Sequence, residues 1–164
     1  MAIRKPLVLK SGEIQQLQSG DELAVAGVTD GSNAAAGKVG EYLSSVVASG
    51  SGVSLTSGAV ANITSLALTA GDWDVWAQGG IVGVSGSTVT FFFAATSANN
   101  NNIPEPSSLQ YQCASFTIGA NAFRMAIVPQ RVSLAAAAIY YLNVGAVFGG
   151  TMKGFGNIHA RRRR

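Results

Sequence analysis

Asp72 and Asp74 are the closely spaced carboxylates in the β-type part of the chain, and theirs is the one spacing there that fits acid–base work. Residues two apart on a strand share a face, and two carboxylates on one surface are the equipment of a glycosidase. The competing reading places Asp72 in a turn after Gly71 and leaves Asp74 as a solvated strand residue. Acid–base tuning requires burial of one carboxyl, which the start of a strand does not offer, so the structural reading is preferred and a polysaccharide-cleaving enzyme ranks last. Cys113 and His159 are the other pair with nucleophilic potential. Cys113 has no His near it in sequence and reads as a buried structural thiol. The chain has neither Cys-x-x-Cys nor His-x-x-x-His spacing and no glycine-rich loop ending in Lys-Ser or Lys-Thr, so no metal, nucleotide or cofactor is expected. Between Gly40 and Asn157 there is no His, one Cys and seven charged residues. A catalyst needs titratable groups in a cleft, and this stretch is poor in them.

The net charge of +3 is local. Basic and acidic residues balance over 1–40, acids lead by one over 41–160, and the excess lies in Arg161, Arg162, Arg163 and Arg164. Such a cluster can grip phosphate through bidentate guanidinium contacts, pair with acidic groups on a neighbouring subunit, or end the chain in solvent. Nucleic-acid binding calls for further basic residues or stacking aromatics nearby, so structural and interface roles rank above it and no nucleic-acid partner is expected. Trp73 and Trp76 fall on opposite faces of one strand, so one packs inward and the other is exposed or meets a neighbour. Phe91, Phe92 and Phe93 run consecutively, as expected of a strand buried on both sides. Trp76, Phe92 and the four arginines are therefore the candidates for an oligomer interface or a receptor contact.

The elements that must position these residues are strands. From Gly40 onward turn signals recur at short spacing: Gly50-Ser51-Gly52, Ser57-Gly58, Ala70-Gly71-Asp72, Gly86-Ser87 and Gly119-Ala120-Asn121. They delimit expected strands at 41–48, 53–55, 59–68, 73–82, 88–96, 114–118, 122–129, 132–134, 138–148 and 151–159. No amphipathic helical period is sustained. The fold class is all-β, an antiparallel sandwich of jelly-roll type spanning 39–164 with its basic tail. Ahead of it lie a leader, 1–23, and a Gly/Ala/Ser-rich linker, 24–38, which reads as flexible. In the leader Arg4–Lys10 suits an extended segment limited by Pro6, whereas Ile14 and Leu17 have helical spacing in a segment too short to stand alone as a helix. Leu134–Gly150 is nearly uncharged but shorter than the ~20 residues a membrane span needs, and it reads as a buried strand, so no membrane insertion is expected. A single Cys allows no intrachain disulfide, consistent with assembly in a reducing cytoplasm. Residues 1–10 lack the apolar core of a signal peptide.

Only 12% of residues are charged while 48% are hydrophobic, a surface that resists association poorly when alone. An oligomer would cover much of it.

The leader residues Ile3-Arg4-Lys5-Pro6-Leu7-Val8-Leu9 and Ile14-Gln15-Gln16-Leu17, followed by Ser19-Gly20-Asp21, resemble the start of tail-fibre and related virion proteins of tailed bacteriophages. Gly40-Glu41-Tyr42, Asn62-Ile63-Thr64-Ser65, Leu68-Thr69-Ala70-Gly71-Asp72-Trp73-Asp74-Val75 and the arginine-rich end resemble a β-domain of phage structural proteins. This resemblance implies a virion-docking leader, with Ile3, Arg4, Pro6, Leu7, Leu9, Ile14 and Leu17 as its contact residues, and a trimeric β-domain displayed on the virion surface. It implies a homotrimer, a second virion protein of tail, baseplate or capsid as docking partner, and a host surface glycan as a further candidate. A short tail fibre or host-contact protein comes first. A capsid decoration protein or head fibre is the alternative, because no long shaft separates leader and β-domain.

Overall fold

The computed structural model describes residues 7–10, 13–16, 31–83, 86–103, 110–118 and 122–163. They fall into two units, Met1–Ser32 and Asn33–Arg164. In the first, β1 (Leu7–Lys10) and β2 (Glu13–Gln16) form an antiparallel hairpin that pairs Leu7 with Gln16 and Leu9 with Ile14. The helical spacing around Ile14 is not realised. Nucleating a helix is costly in so short a segment, whereas strands separated by two residues, Ser-Gly, have the spacing of a tight hairpin.

Turns precede the first strand of the second unit. The Lys38 N–H donates to Ala35 O and the Glu41 N–H to Lys38 O, and the Gly37 N–H donates to the Glu41 carboxylate at 2.8 Å. The strands follow as β3 (Tyr42–Val47), β4 (Val53–Ser54), β5 (Val60–Leu68), β6 (Gly71–Gly83), β7 (Thr88–Ser97), β8 (Gln110–Cys113), β9 (Phe116–Thr117), β10 (Phe123–Leu134), β11 (Ala138–Phe148) and β12 (Met152–Arg162). One 3-10 turn, Ser49–Ser51, is the only helical element among the described residues. Two stretches expected as separate strands, 122–129 and 132–134, are one strand. Pro129 lies in a bulge between Ile127 and Gln130 on the edge strand β10, where its missing N–H costs no ladder bond.

Sheet order fixes the architecture. One sheet reads β10-β6-β12-β3 with β4 also on β12, and the other reads β5-β11-β7-β8 with β9 also on β7. Taking β3 with β4 and β8 with β9 as single positions leaves eight, with first paired to eighth, second to seventh, third to sixth and fourth to fifth, all antiparallel. That is a long hairpin rolled into two facing sheets, the double Greek key of a jelly roll. Between the sheets pack Trp73, Val75, Ile81, Phe92, Leu142, Val144 and Ile158, none exposed to solvent. On one flank Ser45 Oγ and Thr64 Oγ1, 2.5 Å apart, link β3 to β5 across the two sheets.

Candidate interaction faces

Charge divides the two sheets. Strands β5, β7, β8, β9 and β11 contain no Asp, Glu, Lys, Arg or His. The β10-β6-β12-β3 sheet carries Asp72, Asp74, Arg124, Arg131, Lys153, His159, Arg161 and Arg162. Among the described residues, the sandwich therefore has one outer face that carries charge and one whose strands carry none.

On the charged face, strand alternation turns Tyr42 of β3, Trp76 of β6 and His159 of β12 outward side by side. His159 and Trp76 are register partners with rings stacked at 5.5 Å, and Tyr42 stacks on the imidazole at 5.8 Å. All three are half-buried. Tyr42 Oη lies 2.6 Å from His159 Nδ1, and His159 Nε2 lies 3.0 Å from Asn157 Oδ1. Asn157 Oδ1 can only accept, so Nε2 carries the proton, and in the neutral imidazole Nδ1 accepts from the tyrosine hydroxyl. Burial pushes the His159 pKa below its ordinary value, in the same sense. Beside this tier Arg131 grips Asp72 with two bonds, 2.8 and 3.0 Å, and Arg163 lies 3.4 Å from Asp74. The two carboxylates are thus engaged by different arginines. Asp72 is buried rather than in an open turn. Phe155 lies flat across Gly80, where a methyl would collide with its ring, and Arg124 sits over that ring at 5.1 Å.

Arg162 is the residue whose position sequence reasoning places least well. As an interface or receptor candidate it is corrected by its burial: the side chain is 5% exposed and points inward between strand ends. Its Nε donates to Glu41 Oε2 at 2.8 Å, Nη1 donates to Ala70 O at 2.9 Å, and Nη2 donates to Thr69 Oγ1. The guanidinium lies 4.2 Å from the Trp73 ring. Burial works against the Glu41 carboxylate, but the Arg162 guanidinium and the Gly37 N–H prevail and hold its pKa below the ordinary 4.5. Backbone bonds from Gly40 N to Arg162 O and from Arg162 N to Glu41 O complete the clasp. It ties β12 to the residues leading into β3 and to the turn before β6.

The uncharged face is apolar and locally flattened. Phe91 and Phe93 project outward with rings 5.5 Å apart, opposite Val147 and Gly145 of β11. A side chain at Gly145 would occupy the space of the Phe93 ring. Val147 is 40% exposed and Ile139, further along β11, 48%. Part of this face is held by the turn after β7. The buried Asn143 donates from Nδ2 to Asn99 O at 2.8 Å and Asn102 O at 2.9 Å, and the Asn62 N–H donates to Asn101 Oδ1 at 2.6 Å. The Asn99–Asn102 turn, exposed to solvent, is thus pinned to the sheet by its own backbone carbonyls.

The remaining sequence candidates separate by strand parity. Trp73 is in the core and Trp76 on the charged face. Phe92 is fully buried between the sheets, which removes it from any surface, while its neighbours Phe91 and Phe93 take the outward positions. Arg161 and Arg163 are exposed at the end of β12. Ile3, Arg4, Pro6, Leu17 and Arg164 lie outside the described residues; Leu7, Leu9 and Ile14 are in the hairpin, and Cys113 is in β8 opposite Phe92. Sequence reading missed Tyr42, Glu41 and Asn143 as site residues. Only register brings them to their partners, across 117, 121 and 44 positions respectively. Among the described residues no cluster of three or more His, Cys, Asp and Glu is arranged to hold a metal ion, and no helix is long and apolar enough to cross a membrane. A cleft of about 600 Å³ lies between the 3-10 turn and the start of β12, with Lys153 the charged residue among its described lining.

The strand order defines the class, an eight-position jelly roll. No protein-family model matches the chain, and no curated protein matches it. Solved structures that align with it include infectious bursal disease virus Gx strain, at 7% identity and TM-score 0.44, covering 88% of this chain and 38% of that one. The T13 viral particle of the same virus aligns at 9% identity and TM-score 0.46, covering 92% and 37%. Its VP2 subviral particle aligns at 9% and 0.45, covering 88% and 38%. The chain spans less than two fifths of the length of these proteins. The fold assignment rests on the strand pairing itself.

Proposed function

We propose that this chain is a non-enzymatic structural protein of a tailed-bacteriophage virion, anchored by its N-terminal segment and displaying a trimeric jelly roll. The observation that carries this reading is the two-unit organisation: a small N-terminal hairpin unit, then a jelly roll in which one sheet lacks charge. The resemblance of residues 3–21 to fibre starts supports the leader as the docking element, by insertion of an extended segment or ribbon into a groove of another virion protein. The charged face, with the Tyr42–Trp76–His159 tier and exposed Arg161 and Arg163, is the surface offered outward. Half-buried aromatics with polar rims stack on sugars or partner side chains, so a host glycan is its candidate ligand. A short tail fibre or host-contact protein is the first reading. A capsid decoration protein or head fibre is the second, favoured by the short interval 17–41 between β2 and β3, which leaves no room for a shaft between the two units.

Removal of residues 1–23 tests the anchor. The truncated chain should keep its β-type circular dichroism and its oligomeric mass but no longer join particles; incorporation at normal occupancy sinks the proposal. Imaging of intact virions separates the two locations, with density at the tail or baseplate supporting a fibre and density on the capsid lattice supporting decoration. Competition of the isolated protein with phage for host cells supports the host-contact role.

A further inference from the structure

We infer that the uncharged outer face of the β5-β11-β7 sheet is where copies of this chain meet, each covering the same face of its neighbours. The inference goes beyond the trimer of the proposed function by naming the contact surface, and it stands on the structure alone.

Phe91, Phe93 and Val147 form an apolar patch along β7 and β11, and Ile139 lies on the same face towards the other end of β11, beyond Asn143 and the turn that caps it. All five strands of this sheet are free of charged side chains. Interface centres are depleted of charge and enriched in aromatics, because a charge covered by an apolar surface loses hydration and gains no partner. A covering surface bearing charge would therefore be penalised here. Within this sandwich the charged face is unsuitable for that reason: Asp74, Arg124, Arg131, Lys153 and Arg161 project from it. The surface of matching chemistry is the same face of a second copy. Closed symmetry then hides every such patch at once, as heterologous contacts around a ring or isologous contacts across a twofold axis.

Two local features fit a contact of this kind. Phe93 lies down over Gly145 instead of standing off the sheet, which flattens the patch for close approach. The Asn99–Asn102 turn, pinned by Asn143, borders the patch with polar atoms, the polar rim that surrounds an apolar interface centre.

The test is the mass of the full chain in solution, by light scattering at micromolar concentration, for wild type and four single variants. Val147→Lys and Ile139→Lys place a charge on the uncharged face at positions already partly exposed. Val46→Lys and Val128→Lys do the same on the charged sheet, at residues 65% and 60% exposed. Wild type should scatter as a multiple of 16.8 kDa. The two uncharged-face variants should fall to the monomer mass or dissociate at least tenfold more readily, with an unchanged far-ultraviolet β signal. The two charged-face variants should keep the wild-type mass. A monomeric wild type overturns the inference, and so does an oligomer that survives both uncharged-face variants or is lost on Val46→Lys or Val128→Lys. Particle incorporation is read separately, so a chain that oligomerises through this face yet joins no virion would refute the virion role and leave the contact standing.

Discussion

Replacing Arg162 by Met should be among the most damaging single changes in the sandwich, although it lies in what reads as a solvated basic tail. The substitution keeps the length and apolar contact of the side chain but deletes the guanidinium. Glu41, whose side chain is only 9% exposed, is then left as a buried carboxylate with the Gly37 N–H as its remaining described donor. Ala70 O and Thr69 Oγ1 each lose a donor, and the Trp73 ring loses its cation. Removing one partner of a buried ion pair costs about 3–5 kcal/mol, chiefly because the other charge stays buried and uncompensated. The cation–π contact belongs to the same loss and is not added on top. Against a total stability of roughly 5–15 kcal/mol, the variant would keep little margin. For a domain of this size each kcal/mol moves Tm by about 3–5 °C, so a drop of roughly 10–20 °C is expected. The assay is thermal unfolding followed by circular dichroism, at one fixed protein concentration because oligomerisation raises apparent stability. The double variant Glu41→Leu/Arg162→Met separates this account from a simple packing defect. Replacing both members of a buried pair by apolar residues is often neutral, so the double variant should recover most of the loss. A cost below about 1 kcal/mol, the range of an exposed pair, or a double variant no more stable than the single, would refute the clasp.

Three further outcomes follow from other parts of the molecule. Asn143→Leu removes the donors that hold the Asn99–Asn102 turn, so proteolysis and hydrogen exchange should rise in that segment, with a global cost of about 1–3 kcal/mol. Gly145→Ala drives a methyl into the Phe93 ring and should cost about 1–3 kcal/mol by overpacking; Phe93→Leu in the same chain should return part of it, and failure to do so counts against the ring-on-glycine geometry. Acid should destabilise the protein in two stages. Burial lowers the His159 pKa, so the unfolded chain takes up that proton more readily, and stability declines as pH falls below the ordinary 6.5 towards the folded value. Glu41 is also depressed, so its contribution is complete above the ordinary 4.5 and is lost as pH falls through its folded value. His159→Gln should abolish the first stage in a pH series of chemical denaturation curves and leave the second; persistence of the first stage would assign it to another group.

Much of the sandwich was legible in the order of residues. Strand alternation and turn composition depend on neighbours in the chain, so β3, β5, β6, β7, β11 and β12 fall within three residues of their expected limits, and parity alone separates Trp73 from Trp76. The same local rules separate Phe92 from Phe91 and Phe93 once the strand is given an inside. What only the tertiary structure decided is which strands share a sheet. Charged strands are scattered along the chain, and the rolled-hairpin pairing gathers β6, β10 and β12 into one sheet, together with the uncharged β3 and β4, while β5, β7, β8, β9 and β11 form the other. It also decided the fate of Arg162. A run of four arginines looks uniform in sequence, but along a strand alternate side chains point to opposite faces, so Arg161 and Arg163 reach solvent while Arg162 turns inward to a carboxylate 121 positions away. Local periodicity can say that one residue of the run faces in; only the pairing of β12 with β3 supplies the buried partner that makes that orientation stable.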